Sequence, residues 1–400
     1  MTTRTMKTVI IFLIFSMTVA SVLFGHGRAH IPPKNEARRI TFPDTTHYLT
    51  IIFDPHTHSV FSDGHVWPRI RVGEALRDGL DAIAITEHLE YQPHLEDIPH
   101  HDRNRSYEEA VSSAEETDLI IVPGVEITRR PPASHMNAIF INDANTLVRV
   151  PDPNEPQDPK SYSTKAHEWP AQKAVEAANE QGAFVFWNHS WWRPHFPNGI
   201  TIMPDFHRNN AKAGLLHGIE IVNGGSYSEE SFQIALEYNL TLIGTSDIHG
   251  LIDWDYEPHK GGHRPVTLVF VEERTMEGIR DAMFKRRTVV WFKNILMGRA
   301  EHLGPLLEAC LSLHGATYGN GEILSVDVTN FSDADFHLRN KSDYSFNDHT
   351  NIIVVPQHST ERLRVRTGNK VENIELEFEV LNVLTTPKQT ASITLEAKVE

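Results

Sequence analysis

The chain has 400 residues, 40% of them hydrophobic and 22% charged, and a formal charge of −16. This is ordinary globular composition with room for two or three domains, which excludes a disordered or fibrous chain. No run of five or more Lys/Arg occurs, so the basic footprint that grips nucleic-acid phosphates is missing. The single cysteine, Cys310, excludes an internal disulfide and a cysteine-built zinc site. Histidine, by contrast, reaches 24 residues, and imidazole is the commonest metal ligand.

Arg4 and Lys7 precede an apolar run from Thr8 to Phe24, followed by Gly25-His26-Gly27-Arg28-Ala29. Residues 1–29 therefore read as a secretory signal with a cut after Ala29. The run is long for a signal and slightly short for a membrane span, so an uncleaved N-terminal anchor is the alternative. No second apolar stretch approaches membrane length, and no further span is expected. An exported chain with one thiol fits a bacterial-type periplasm. Residues 30–48 form an N-terminal arm.

From residue 49 short β-branched runs alternate with helical segments. Strands are expected at Leu49–Phe53, Ala82–Thr86, Leu119–Val122, Ala138–Ile141, Ala183–Trp187, Gly218–Val222, Thr241–Thr245 and Val266–Val271. Helices are expected at Arg69–Asp78, Ser106–Glu116, Ala171–Glu180, Glu229–Tyr238 and Met276–Arg286. The strands are near-continuously apolar, as when both faces are covered, and an α/β fold with a (β/α) barrel over 49–300 follows. The Pro-rich stretch 142–168 reads as a long loop over the barrel mouth. After about Arg299 the alternation ends, and residues 301–400 read as a small all-β domain, with strands at Ile323–Thr329, Asn351–Val355, Leu363–Arg366, Ile374–Leu381 and Ala391–Glu400.

The chemistry sits immediately after the strands. The first ends in Asp54-Pro55-His56-Thr57-His58 with Ser62-Asp63-Gly64 behind it, and the second in Thr86-Glu87-His88. The third leads to Gly124-Val125-Glu126, followed by His135; later strands end in Asn188-His189 and in Ser246-Asp247-Ile248-His249-Gly250. Residues two apart in an extended segment point the same way, about 6.5 Å apart, so His56 and His58 can grip one ion. In a (β/α) barrel such strand ends converge on one mouth. His56, His58, Asp63, His88, Glu126, His135, His189, Asp247 and His249 then supply nitrogen and oxygen donors without sulfur. Such a set suits two or three divalent first-row ions, Mn, Zn or Fe.

These motifs resemble the PHP (polymerase and histidinol phosphatase) family of metal-dependent phosphoesterases, in the family's order from about Phe53 to Gly250. The resemblance implies a distorted seven-stranded (β/α) barrel holding up to three metals. It implies a first ion at His56, His58, Glu126 and Asp247, and a second at Glu126, His135 and His189 with Glu126 bridging. A third falls to Asp63, His88 and His249. Glu87 stands where the family usually has Asp, and its expected role is to orient a ligand from behind. The stretches Asp63–Pro68, His88–His94, Leu215–Glu220 and His249–Tyr256 look like exported PHP enzymes that hydrolyse simple organophosphate diesters.

The expected reaction is hydrolysis of a small phosphodiester by a metal-bridging hydroxide attacking phosphorus, with Glu126 and Asp247 at the reacting centre. His217 is the candidate general acid. Arg129, Arg264, Trp191 and His217 are the candidate substrate contacts, Arg264 from a mouth loop at 261–265, with Trp187 and Trp192 as further pocket walls. The acidic surface repels polyanions and favours small substrates over nucleic acid. The competing readings are a phosphomonoesterase of histidinol phosphatase type, an amidohydrolase, and an exported metal-binding protein. Cys310 is expected to be buried and inert.

Overall fold

The computed structural model describes residues 39–150 and 158–400. The expected signal and the first part of the arm lie outside the described residues, as does the Pro-rich centre at 151–157. No helix among the described residues is long and apolar enough to cross a membrane.

The strands of the first region are β1 (Leu49–Asp54), β2 (Ala82–Ile85), β3 (Ile120–Thr128), β4 (His135–Ile139), β5 (Phe184–Trp187), β6 (Gly218–Asn223), β7 (Ser226–Tyr227), β8 (Thr241–Thr245) and β9 (Val266–Val271). β2, β5, β8 and β9 are buried along their whole length, which is why their sequences lack polar alternation. β1, β2 and β3 pair in parallel, as do β5, β6 and β8. Two strands run against them: β4 is antiparallel to both β3 and β5, and β9 is antiparallel to β1. This mixed pairing is the distortion of the barrel. Its last seam, between β8 and β9, is closed by one side chain: the Thr267 hydroxyl accepts from the Gly244 N–H at 3.0 Å and donates to the Gly244 carbonyl at 2.9 Å. Gly244 is required there, because a Cβ would lie 2.3 Å from Val290 of β10 (Thr288–Phe292).

The observed helices follow the expected ones closely at Pro68–Asp78, Arg105–Ala114, Ala171–Glu180, Glu229–Glu237 and Met276–Phe284. Proline at the first turn and Gly79 in a left-handed conformation (φ 73°) bound the first of these. Four helices were not among those expected: Pro159–Ala166, Asp205–Lys212, Ile252–Asp255 and Ala300–Cys310. The last carries Pro305, yet it buries Leu303, Leu306, Leu307 and Cys310 along one face. The stretch 142–168 is not one loop over the mouth. Asn142 and Asp143 donate backbone N–H groups to Gln181 at the far end of β5, whereas Tyr162 on the Pro159–Ala166 helix reaches the Leu89 carbonyl at 2.7 Å.

Beyond β11 (Ile295–Gly298) the chain forms β12 (Leu311–Tyr318), β13 (Ile323–Asn330), β14 (Phe336–Asn340), β15 (Ser345–Phe346), β16 (Ile352–Val355), β17 (Thr360–Arg366), β18 (Asn373–Thr386) and β19 (Gln389–Lys398). They make two facing sheets, β12-β13-β17-β15 and β16-β14-β18-β19. Strict alternation, as in β13, gives each sheet one inner face: Leu324, Val326 and Val328 share a core with Leu376, Phe378 and Val380 of the other sheet. β18 also pairs in parallel with β11, so the sheet of the barrel continues into this all-β region. The arm adds a second tie. Ile40 donates to the Asp78 carbonyl at 2.8 Å, and Thr41 donates its N–H to Asp333 Oδ2 at 3.0 Å while its carbonyl accepts from Asp333 N–H at 3.0 Å. Cys310 is buried and its thiol is pushed up to about 12 by burial, which leaves it inert.

His207, on the Asp205–Lys212 helix, is fully buried and stacks on Trp187 at 4.1 Å. Burial pushes its imidazole down to about 3, against the Ala133 backbone that favours the proton. The unfolded chain takes up this proton near pH 6.5 and the folded chain does not, so stability is full above that pH and is lost as the pH falls toward 3. The loss expected at the acid end is about 4 kcal/mol. His207→Phe keeps the stack and removes the titration; its denaturation midpoint should fall less between pH 7 and 4 than that of the parent. Parallel pH curves for the two proteins would refute the assignment.

Candidate metal centre

The strands deliver their C-terminal ends to one mouth, and β4, running the other way, delivers its first residue, His135, opposite Thr128 of β3. After β1 the chain stays extended. Thr57 turns toward β2 and donates its hydroxyl to the Ala84 carbonyl at 2.7 Å, while His56 and His58 face the mouth. Arg71, buried on the Pro68–Asp78 helix, donates to the carbonyls of His58 and His249, both at 2.8 Å, and so locks the two His-containing segments together. His189 and Asp247 hold positive φ angles of 24° and 49°. Such strained backbone persists where surrounding structure over-determines it, which fits aiming of these side chains.

All nine predicted donors converge. His56 Nε2, His58 Nε2, Glu126 Oε2 and Asp247 Oδ1 form one cage: the imidazole nitrogens lie 2.9 Å apart, and each lies within 3.4 Å of both carboxylate oxygens. Glu126 turns its other oxygen, Oε1, to His135 Nδ1 at 2.9 Å and His189 Nε2 at 3.4 Å. A third group joins Asp63 Oδ1 to His249 Nε2 at 3.0 Å and His88 Nε2 at 3.5 Å. His88 also places Nδ1 2.9 Å from Glu126 Oε2, so the groups are continuous.

The charges of this cluster call for cations. Burial disfavours ionisation of Glu126, Asp247 and Asp63, yet the surrounding imidazoles hold all three carboxyls well below the usual range. Burial likewise opposes charge on His56 and His88, but Asp247, Glu220 and Glu126 raise His56, and Glu126 and Asp63 raise His88. His249 is raised to about 9 against its own burial by Asp63 and Asp247, whereas burial leaves His135 low, at about 4. Asp63 Oδ1 and Asp247 Oδ1 are buried beside imidazole nitrogens without a well-aligned hydrogen bond, and two imidazole nitrogens face each other at 2.9 Å. Divalent ions fit these residues, and their binding would displace the imidazole protons.

Behind the donors stands a layer that sequence reading reached only in part. Glu87 accepts from Ser59 N at 3.0 Å and Ser62 Oγ at 2.5 Å, and Ser62 Oγ lies 3.3 Å from His58 Nδ1. Its expected orienting role thus runs through Ser62. Glu220 on β6 was not singled out. It accepts from His56 Nδ1 at 2.7 Å, Thr245 Oγ1 at 2.7 Å, His189 N at 2.6 Å and Asn223 Nδ2 at 2.9 Å, so it fixes the His56 ring and the His189 backbone together. Its signal was available: a buried acid in an otherwise apolar strand, Gly218-Ile219-Glu220-Ile221-Val222. Glu220→Gln is expected to weaken metal affinity about 10- to 100-fold with the fold retained, as loss of an outer carboxylate does. Competition with a chelator checks this, and unchanged affinity would remove Glu220 from that role.

Three of the four expected substrate contacts are corrected. His217 lies before β6, at the end of the barrel opposite the mouth. It packs against Phe184 and Phe284, accepts from Val185 N–H at 3.0 Å, and burial pushes it down to about 4; it is not placed to act as general acid. Arg264 is fully buried, bound to Asp54 at 3.2 Å and Asp78 at 2.8 Å, beneath the mouth rather than in a loop over it. Arg129 is buried against Glu90, whose carboxyl is raised to about 7 by burial despite the guanidinium. Trp191 follows His189 at the mouth and turns its indole N–H to Ser226 at 3.0 Å, and the neighbouring Trp192 packs against His135 and His189.

A domain-family model described as Ig-like matches residues 311–396. A solved two-domain protein of Bacteroides vulgatus, containing a predicted PHP-like metal-dependent phosphoesterase, is 36% identical and superposes with a TM-score of 0.78, over 90% of this chain and 98% of that one. A candidate metal-dependent phosphoesterase of Bifidobacterium adolescentis is 19% identical with a TM-score of 0.37, over 50% of this chain and 88% of its own. An uncharacterized protein of Methanocaldococcus jannaschii is 38% identical over 87 residues, which span 20% of this chain and 36% of that protein. The chain belongs to the PHP-like metal-dependent phosphoesterases, carrying a distorted α/β barrel and an Ig-like C-terminal region.

Proposed function

We propose that this phosphoesterase hydrolyses small phosphodiesters. The observation that carries the reading is the fate of the two arginines that the sequence offered as phosphate contacts. Arg129 is engaged by Glu90, and Arg264 by Asp54 and Asp78, so neither is presented to a second phosphate charge. A phosphomonoester dianion calls for such cations, whereas a diester brings one negative charge, which the centre itself meets. Glu126, His56, His58 and Asp247 would hold one divalent ion, Glu126 with His135 and His189 a second, and Asp63, His88 and His249 a third. Bound ions of this kind lower the pKa of water toward neutrality and offset charge on phosphoryl oxygens. The protein's part is orientation. Glu220 holds His56, Ser62 and Glu87 hold His58, and Asn188 donates to Glu126 Oε1 at 3.1 Å, so each donor meets substrate already aimed.

The reading is tested by kcat/KM of the metal-reconstituted protein for an aryl phosphodiester against the matching monoester. A ratio well above one is expected. A ratio below one would move the reading to monoesterase chemistry. The proposal includes export to the periplasm, supported by Arg4, Lys7 and the apolar run to Phe24.

A further inference from the structure

The turn after β5 presents an aromatic face that the metal ligands do not explain. Trp192 N–H donates to the His189 carbonyl at 2.8 Å, and the Trp192 carbonyl accepts from His195 N–H at 3.0 Å and Phe196 N–H at 2.8 Å. The turn is therefore built before any ligand arrives. Within it Trp192 remains 42% exposed. Its ring centroid lies 5.3 Å from His135 and 5.6 Å from His189, and His195 stands edge-on to it at 4.8 Å and edge-on to His135 at 5.1 Å. Beside the third donor group Tyr91, 45% exposed, stands edge-on to His88 at 6.0 Å. Three imidazoles thus pack around the indole, which stays 42% exposed at the rim of the donor cluster.

We propose that Trp192 is the specificity-determining residue of this centre, and that its exposed indole stacks on a planar aromatic ester group, aryl or nucleobase, of the phosphate ester. The inference rests on the phosphoesterase reading and names its substrate class. An indole face offers no hydrogen-bonding group to a sugar hydroxyl or a polar head. An aromatic ring at offset-stacking distance gains quadrupole attraction beyond the apolar contact an alkyl group makes. Because His135, His189 and His195 pack against the indole, less side-chain freedom remains to be lost when the ring binds.

The test is calorimetric binding of phenylphosphonate and cyclohexylphosphonate to the metal-reconstituted full chain, beside turnover of an aryl phosphodiester. Each ligand carries one organic group, so the group has a single place to go. The parent is expected to bind the phenyl compound about ten-fold more tightly. Trp192→Ala should abolish the preference, and Trp192→Phe should restore most of it. Equal binding of the two ligands by the parent, or an unchanged preference in Trp192→Ala, overturns the stacking role while turnover leaves the phosphoesterase reading standing. Absence of both phosphonate binding and turnover overturns the two together. Within a positive result, a non-hydrolysable adenosine phosphonate that binds more tightly than phenylphosphonate identifies a nucleobase, and weaker binding identifies a smaller aryl group.

Discussion

Replacing Glu126 with glutamine is expected to lower kcat/KM on the order of a thousand-fold and to reduce bound metal at more than one position. The reason is the reach of a single side chain. Oε2 lies 3.4 Å from His56, 3.2 Å from His58 and 2.9 Å from His88, while Oε1 lies 2.9 Å from His135 and 3.4 Å from His189. No other carboxylate among the nine donors touches both the His56/His58 cage and the His135/His189 pair so closely. An amide of the same shape keeps the packing but brings no charge, and its NH2 group would face imidazole nitrogens. Metal content by plasma emission, read together with turnover, checks the expectation. Full metal content with near-parental turnover would show that Glu126 is not the shared ligand.

The second large effect is expected in stability. Arg264→Met leaves Asp54 and Asp78 buried without their cation, and breaking a buried ion pair in this way costs about 3–5 kcal/mol. Burial already raises the Asp54 carboxyl despite Arg264 and the Ser246 hydrogen bonds, so loss of the guanidinium should raise it further. A raised carboxyl costs stability above its folded pKa and is relieved as the pH falls through it. The deficit of the variant should therefore shrink between pH 7 and 5. The damage should also reach the centre, because Asp54 accepts from Ser246 N at 3.0 Å and Ser246 Oγ at 2.6 Å, directly before Asp247. Denaturant midpoints at the two pH values measure this. A variant as stable as the parent at pH 7 would remove the ion pair from the account.

The donors were legible because they sit where a barrel must put them. His56, His58, His88, Glu126, Asp247 and His249 each lie at or within a few residues of the end of an apolar strand, so locating the strands located the donor cluster. The facing sheets of the C-terminal region were legible for a related reason, since period-two alternation in strands such as β13 and β18 reports one buried face. Helix Ala300–Cys310 was not legible, because Gly304 and Pro305 read as a break while the burial of Leu303, Leu306 and Leu307 against both regions outweighs them.

The roles of single polar residues around the donors depended on tertiary structure. His217, Arg129 and Arg264 look alike in a sequence, as cationic residues near strand ends. The barrel sends His217 to the far end, because it precedes its strand, and surrounds Arg264 with two acids distant in the chain. Glu220 shows the converse: its position inside β6 was plain, but its bond to His56 joins residues 164 positions apart. Strand-end chemistry is local, set by the period of each strand, so the sequence by itself pointed to a barrel and put the nine donors near strand ends, and the motifs they form carried the resemblance to the family. Which cations are neutralised, which acid orients each imidazole and which tryptophan faces the mouth are decided by long-range neighbours, and only the folded chain brings those together.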